Sequence, residues 1–226
     1  MNITYLEFPA KDLQAQRDFY ARILELPVVL SAGKLEVKAG KTDLVFTQAD
    51  ADLDGAYHFA FNIPENQFRA AKEWVTNRIP LLRNEEGQDE YDFASWNAHA
   101  FYFNDAAGNI LEFIARHDLQ NAVNEEFNSG QILNISEIGL PSEDVVGLAN
   151  DLCARLGLSI FRQEPNETFT PVGDNHGLFI IPVVGRLWMP THGSGAPAKL
   201  LPVRVRGGAN SKKWEVSGAP YRIHFT

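Results

Sequence analysis

A single pattern recurs along this chain: an alternating strand, a proline, an acidic residue and then an amphipathic helix. Ile3-Thr4-Tyr5-Leu6-Glu7-Phe8-Pro9-Ala10-Lys11-Asp12 and Ile135-Ser136-Glu137-Ile138-Gly139-Leu140-Pro141-Ser142-Glu143-Asp144 carry Pro and Asp at the same offsets. Each stretch alternates as a half-buried strand does. Asp12 and Asp144 are suited to cap the helices that follow. The first helix has an apolar stripe of Leu13, Phe19, Tyr20, Ile23 and Leu24. The second has Val145, Leu148, Leu152 and Leu156, with Gly157 as a stop. A third copy begins at His58, where His58-Phe59-Ala60-Phe61-Asn62-Ile63 precedes Pro64, a suitable helix start. Its helix buries Phe68, Ala71, Val75 and Ile79, with Trp74 beside them.

Short strands follow each helix. After the first come Val28 to Ser31, Lys34 to Lys38 and Asp43 to Thr47. After the helix of Phe68 to Ile79 come Tyr91 to Phe93, Ala100 to Phe103 and Ile110 to Ala115. After the helix of Val145 to Leu156 come Ser159 to Arg162, Phe169 to Val172 and Leu178 to Pro182. The repeated unit is βαβββ, which makes the fold class α+β. A degenerate fourth unit reads as strands at Leu200 to Arg206, Lys213 to Val216 and Tyr221 to Phe225, with no helix between them. The expected organisation is a domain of two units at 1–116, a polar linker at 117–131 and a second, partly degenerate domain at 132–226. Thr191 to Pro197, containing His192, reads as a surface loop.

The formal charge of −9, from 20 basic and 29 acidic residues, lacks the basic face that nucleic acid requires. Lys212 and Lys213 read as a solvated turn. No apolar run approaches the roughly 20 residues of a membrane span. The one cysteine, Cys153, excludes an intrachain disulfide. With no signal peptide evident, this leads us to expect a reducing cytoplasm. Cys153 falls on a helix, as a core-lining thiol. Walker A, dinucleotide-binding and Gly-x-Ser-x-Gly patterns are missing from the sequence.

The stretch Ala100-Phe101-Tyr102-Phe103-Asn104-Asp105-Ala106-Ala107-Gly108-Asn109-Ile110-Leu111-Glu112-Phe113 is an aromatic strand, an Asp-x-x-Gly-Asn turn and a strand bearing Glu. It resembles the final hairpin of the vicinal oxygen chelate superfamily, the glyoxalase, bleomycin-resistance and extradiol-dioxygenase group. The resemblance covers residues 1 to about 116 well and 133 to 182 moderately. It implies half-open mixed β-sheet cups with helices outside, and a divalent metal in the cup held by His from a first strand and Glu from a last strand. Those positions here are His58 and Glu112, and the first unit offers Tyr5. Strand alternation puts Phe59, Phe61 and Ile63 on one face and His58, Ala60 and Asn62 on the other. It likewise turns Glu112 away from Leu111 and Phe113, and Tyr5 and Glu7 away from Leu6 and Phe8.

The expected metal ligands are therefore His58, Glu112 and either Glu7 or Tyr5. These two are also candidate catalytic groups, Glu7 as a base and Tyr5 as an acid or hydrogen-bond donor. The donors suit Zn²⁺, Fe²⁺, Mn²⁺, Ni²⁺ or Co²⁺ and do not choose among them. Trp96, His99 and Tyr102 are candidate substrate contacts, and His99 also reads as a surface histidine at a strand end. Glu137 stands at the first-strand position of the third unit as a separate polar site. The resemblance implies a metal-dependent lyase, isomerase or dioxygenase acting on a small molecule with vicinal oxygens. The alternative is a metal-free small-molecule binder of the bleomycin-resistance type. Such relatives depend on dimers, whereas the extra repeats of this chain offer a substitute for a partner, so both a self-contained chain and a homodimer are among the arrangements expected.

Overall fold

The computed structural model describes residues 1–190, 196–208, 212–216 and 218–225, so His192 and most of the expected surface loop lie outside the described residues. In chain order the elements are β1 (Ile3–Ala10), α1 (Leu13–Asp18), β2 (Val28–Ser31), β3 (Lys34–Ala39), β4 (Thr42–Gln48), β5 (His58–Ile63) and α2 (Phe68–Thr76). Then come β6 (Tyr91–Phe93), β7 (Ala98–Asn104), β8 (Ile110–Arg116), β9 (Asn134–Gly139), α3 (Val145–Leu156), β10 (Phe169–Asp174) and β11 (Gly177–Pro182). The last are β12 (Val203–Gly207), β13 (Lys212–Glu215) and β14 (Tyr221–Phe225). Among the described residues, no helix is long and apolar enough to cross a membrane.

These strands form two mixed seven-stranded sheets, one curled into a half-barrel. The first runs β13-β14-β12-β1-β4-β3-β2 and the second β10-β11-β9-β5-β8-β7-β6. The repeats therefore pair first with fourth and second with third. This corrects the expectation that residues 1–116 make one cup and 132–226 another. The physical reason is edge pairing: β5 joins β9 antiparallel, and β1 joins β12 antiparallel. The polar stretch between β8 and β9 holds a single 3-10 turn, Ser129–Gln131. It is tied down where Gln67 and Asn66 donate to the Glu125 and Val123 carbonyls, at 2.9 and 2.7 Å.

Alternation divides each sheet as the sequence reading expects. Leu6, Phe8, Phe59, Phe61, Leu111 and Phe113 enter one core shared by both sheets and all three helices. Phe8 of the first sheet packs at 5.4 Å from Phe59 of the second. Asp12 caps α1 by accepting from the Ala15 amide, and Asp144 caps α3 by accepting from that of Gly147, both at 2.8 Å. Gly157 ends α3 at φ +71°. Three expectations are corrected. α2 starts at Phe68 rather than Pro64, because residues 64–67 close a separate turn through the Gln67 amide and the Pro64 carbonyl. Ser159 to Arg162 makes only one bridge, Ile160 to Val172, and Arg162 at φ +52° leaves extended geometry. Lys212 and Lys213 begin β13 rather than forming a turn.

The Asp-x-x-Gly-Asn turn joins the two sheets. The buried Asp105 carboxylate accepts the Ala107 and Asn109 amides at 2.9 and 3.0 Å, which closes the turn. It also accepts from Asn109 Nδ2 at 2.8 Å, and from Gln16 and Tyr20, beside the first sheet, at 2.7 and 3.2 Å. Gly40 makes a second junction: at φ +57° it lies so close to the Ile132 and Leu133 carbonyls that a Cβ would overlap them. Replacing Asp105 with Ala strands several buried donors at once, each worth about 1–3 kcal/mol. We expect Asp105→Ala to cost about 3 kcal/mol and lower Tm by about 6–12 °C, read by a thermal melt. A shift under about 2 °C would mean that the turn does not join the sheets energetically.

Candidate metal centre

The second sheet brings three polar side chains onto the face turned away from the shared core. In register, Ala60 of β5 lies opposite Glu112 of β8 on one side and Glu137 of β9 on the other. A small residue at the centre lets the two carboxylates lean together across strands about 4.8 Å apart. His58, two residues earlier on the same face, completes the group. All three are buried, and one ligand atom from each lies within 4.8 Å of the others.

The imidazole is fixed in orientation. Its Nδ1 lies 3.1 Å from the Ile110 carbonyl, an acceptor, so Nδ1 carries the proton and Nε2 presents its lone pair. Burial lowers the His58 pKa to about 4, which keeps the ring neutral at pH 7. Nε2 then faces Glu112 Oε2 at 3.5 Å and Glu137 Oε2 at 3.9 Å. With the carboxylates ionised, three acceptors converge on one point. Metal–ligand bonds of about 2.1 Å put neighbouring ligand atoms roughly 3.0–3.4 Å apart, so this donor set fits a divalent cation.

Neighbouring side chains hold the two carboxylates differently. Glu137 is ion-paired through its other oxygen with the fully buried Arg116, whose Nε donates to Asn62 Oδ1 at 3.2 Å. Glu112 has Tyr102 as its cross-strand neighbour. Burial, then the charge of Glu137, raises the Glu112 pKa well above the ordinary carboxylate range. Burial also raises that of Glu137, against the opposing pull of Arg116.

The group lies in a cavity of about 220 Å³, small beside the roughly 300–1,000 Å³ of drug-sized sites. Its walls are Phe93, Trp96, Tyr102, Phe169, Ile180 and Trp188. Trp188 stacks obliquely over His58, ring centroids 5.0 Å apart. Gly139 leaves room for it: a Cβ there would stand 3.0 Å from Trp188 Cζ2.

Of the residues singled out from sequence, His58, Glu112, Tyr102 and Trp96 come together here. Tyr5 and Glu7 do not join them, because β1 belongs to the first sheet. There Glu7 pairs with Arg204 at 2.7 Å and accepts the Tyr5 hydroxyl, while Arg206 covers the Tyr5 ring at 4.2 Å. The second acidic group beside His58 is Glu137, which sequence reasoning left as a separate polar site. The signal for it was its first-strand position; the missing knowledge was which units pair. Arg116 was overlooked, although it shares the face of Glu112 at spacing four. His99 misses the cavity because alternation sends it to the other face of β7. There it meets Phe68 at 5.4 Å and His117, with Nδ1 2.8 Å from the His117 Nε2.

No family model matches the sequence, and no curated protein does. Among solved structures, the chain is similar to a putative dioxygenase from Bacillus subtilis subsp. subtilis str. 168, at 19% identity and TM-score 0.59, covering 91% of this chain and 70% of that one. It is also similar to a mutant of glyoxalase I from Zea mays, at 11% identity and TM-score 0.58, covering 99% of this chain and 91% of that one. A further glyoxalase I structure from Zea mays is 13% identical with TM-score 0.55, over 91% of this chain and 74% of that one. At these identities the likeness is one of fold.

Because the Glu112 pKa is raised, its ionisation destabilises the metal-free protein, and this penalty grows as pH rises from 4.5 toward the raised value. Glu112→Gln removes the penalty. We expect chelator-treated Glu112→Gln protein to melt about 2–4 °C above wild type at pH 8, about 1 kcal/mol, with the gain shrinking toward pH 4.5. Melts at the two pH values check this. A gain independent of pH would show that charge is not its source.

Proposed function

The chain has the fold of the vicinal oxygen chelate superfamily, and on that premise we propose that it is a metal-dependent enzyme. In this reading it acts on a small molecule bearing vicinal oxygens, and His58, Glu112 and Glu137 hold a divalent ion. The observation that carries the reading is the convergence of three buried acceptors with a single guanidinium to balance two carboxylates. A divalent ion bound there supplies Lewis acidity, which stabilises an oxyanion on a chelated substrate. His58 offers Nε2 because the Ile110 carbonyl holds its other nitrogen. Glu137 is oriented by Arg116. Among the described residues no guanidinium pairs with Glu112, so it is the ligand that would release the ion to take a substrate proton and later return it. Tyr102, opposite Glu112 on the neighbouring strand, lines the same cavity. Phe93, Trp96, Phe169 and Trp188 exclude water and bind the apolar part of the substrate. His58, Glu112 and Glu137 would be the residues that hold the ion, and as three ligands they would not by themselves fill its coordination. The type of reaction follows from the substrate and not from the fold.

A second reading, a metal-free binder, draws on the same aromatic walls, which suit a planar ligand. Metal content separates the two. We expect wild-type protein to carry close to one divalent ion per chain by mass spectrometry, and His58→Ala to carry none. Metal uptake should weaken as pH falls, with a midpoint above the ordinary glutamate pKa of 4.5, because protonated carboxylates do not ligate. Protein that neither retains metal nor takes it up when Zn²⁺, Mn²⁺, Ni²⁺, Co²⁺ or Fe²⁺ is titrated in would overturn the enzyme reading in favour of ligand binding.

A further inference from the structure

One cation lines the cavity, and nothing in the mechanism above uses it. Arg186 lies on the connection between β11 and β12, among the lining residues that also include Gln163 and Phe169. Its guanidinium covers the Phe169 ring at 4.8 Å and donates to the Thr168 carbonyl at 3.3 Å. Among the described residues no carboxylate pairs with it, whereas Arg204, Arg162 and Arg116 each have one. The residue is exposed at the cavity's rim, and partial desolvation on the wall side lowers its pKa from the ordinary value.

The position is built rather than loose. The Arg186 amide donates to the Val183 carbonyl at 3.1 Å, and its own carbonyl accepts the Ala198 amide at 2.8 Å. The Gly185 amide donates to the Ala198 carbonyl, also at 2.8 Å, with Gly185 at φ +85°. Ladder bonds on both sides fix the backbone, and the Phe169 face fixes the planar head. A guanidinium so held offers a fork of donors to a carboxylate or similar oxyanion.

We propose that Arg186 selects an anionic substrate: a small, planar or apolar molecule whose vicinal oxygens reach the His58–Glu112–Glu137 floor while a separate carboxylate pairs with Arg186. This rests on the reading of the floor as a metal centre and adds the substrate's charge. An exposed guanidinium in the wall argues against cationic ligands, although the chain as a whole is acidic. The small cavity restricts the body to about one ring.

Two probes of the same shape test it: catechol, with vicinal oxygens alone, and 3,4-dihydroxybenzoate, which adds a carboxylate away from them. Both are titrated into Mn²⁺-loaded protein, with binding read from the tryptophan fluorescence of Trp96 and Trp188. Wild type should bind the carboxylate probe about 10-fold tighter or more. Arg186→Met should abolish that preference and leave catechol binding unchanged, and Arg186→Lys should restore part of it. Benzoate titrated into metal-free protein examines the anion contact alone, and should bind wild type more tightly than Arg186→Met. Equal affinity for the two probes, a preference that survives Arg186→Met, or binding of neither to metal-loaded protein would overturn the proposal. Failure to take up Mn²⁺ at all would instead count against the metal reading. In that event a benzoate affinity unaffected by Arg186→Met would overturn the anion contact as well.

Discussion

Two carboxylates and a neutral imidazole held close together in an apolar interior form an unfavourable arrangement, and much of the second sheet offsets it. Ala60 keeps β5 small where Glu112 and Glu137 lean over it. The Ile110 carbonyl holds one imidazole nitrogen, Arg116 holds one carboxylate and Tyr102 stands opposite the other across the strand pair. Asn62 in turn supports Arg116 and donates to the Asn175 carbonyl at 3.0 Å, so the chain of contacts reaches the β10–β11 turn. Each partner restrains a charge that would otherwise turn toward water or take a proton.

The first sheet is an internal comparison. It shares the strand order of the second, yet the face turned away from the shared core follows a different chemistry. Where β9 brings Glu137 beside β5, β12 brings Arg204 and Arg206 beside β1. Glu7 is neutralised by Arg204, Lys38 pairs with Asp43 at 2.7 Å and Lys34 with Glu36 at 2.8 Å. Its acidic groups already have cationic partners, many of them exposed. The topology is duplicated and the chemistry is not, because site chemistry resides in particular side chains rather than in the fold.

How much was legible in the sequence follows from the range of the forces involved. Alternation is local, so the faces of β1, β5 and β8 could be read directly, and His58 and Glu112 with them. Caps are local too, as Asp12, Asp144 and Gly157 show. The pairing of repeats is not local. Whether β5 lies against β9 or β1 against β12 depends on edges far apart in sequence, so Glu7 and Tyr5 were placed beside His58 when Glu137 belonged there. His99 was misplaced for a smaller reason: β7 begins at Ala98, and the Tyr102 register then sends His99 to the helix side. Trp188 and Arg186 lie on an irregular connection whose course no periodicity describes.

The pairing of the first repeat with the fourth, and of the second with the third, also sets an order of assembly. Every strand of the site-bearing sheet lies between residues 58 and 182, whereas β1 has its antiparallel partner in β12, which starts at Val203. During synthesis, the sheet with the candidate centre has all its strands once β11 has emerged. At that moment β1 still presents an unpaired edge to solvent, open to aggregation or to another chain until β12 arrives. The strands that carry His58, Glu112 and Glu137 are thus all made before β12, while the cavity wall still waits for Trp188 on the connection beyond β11.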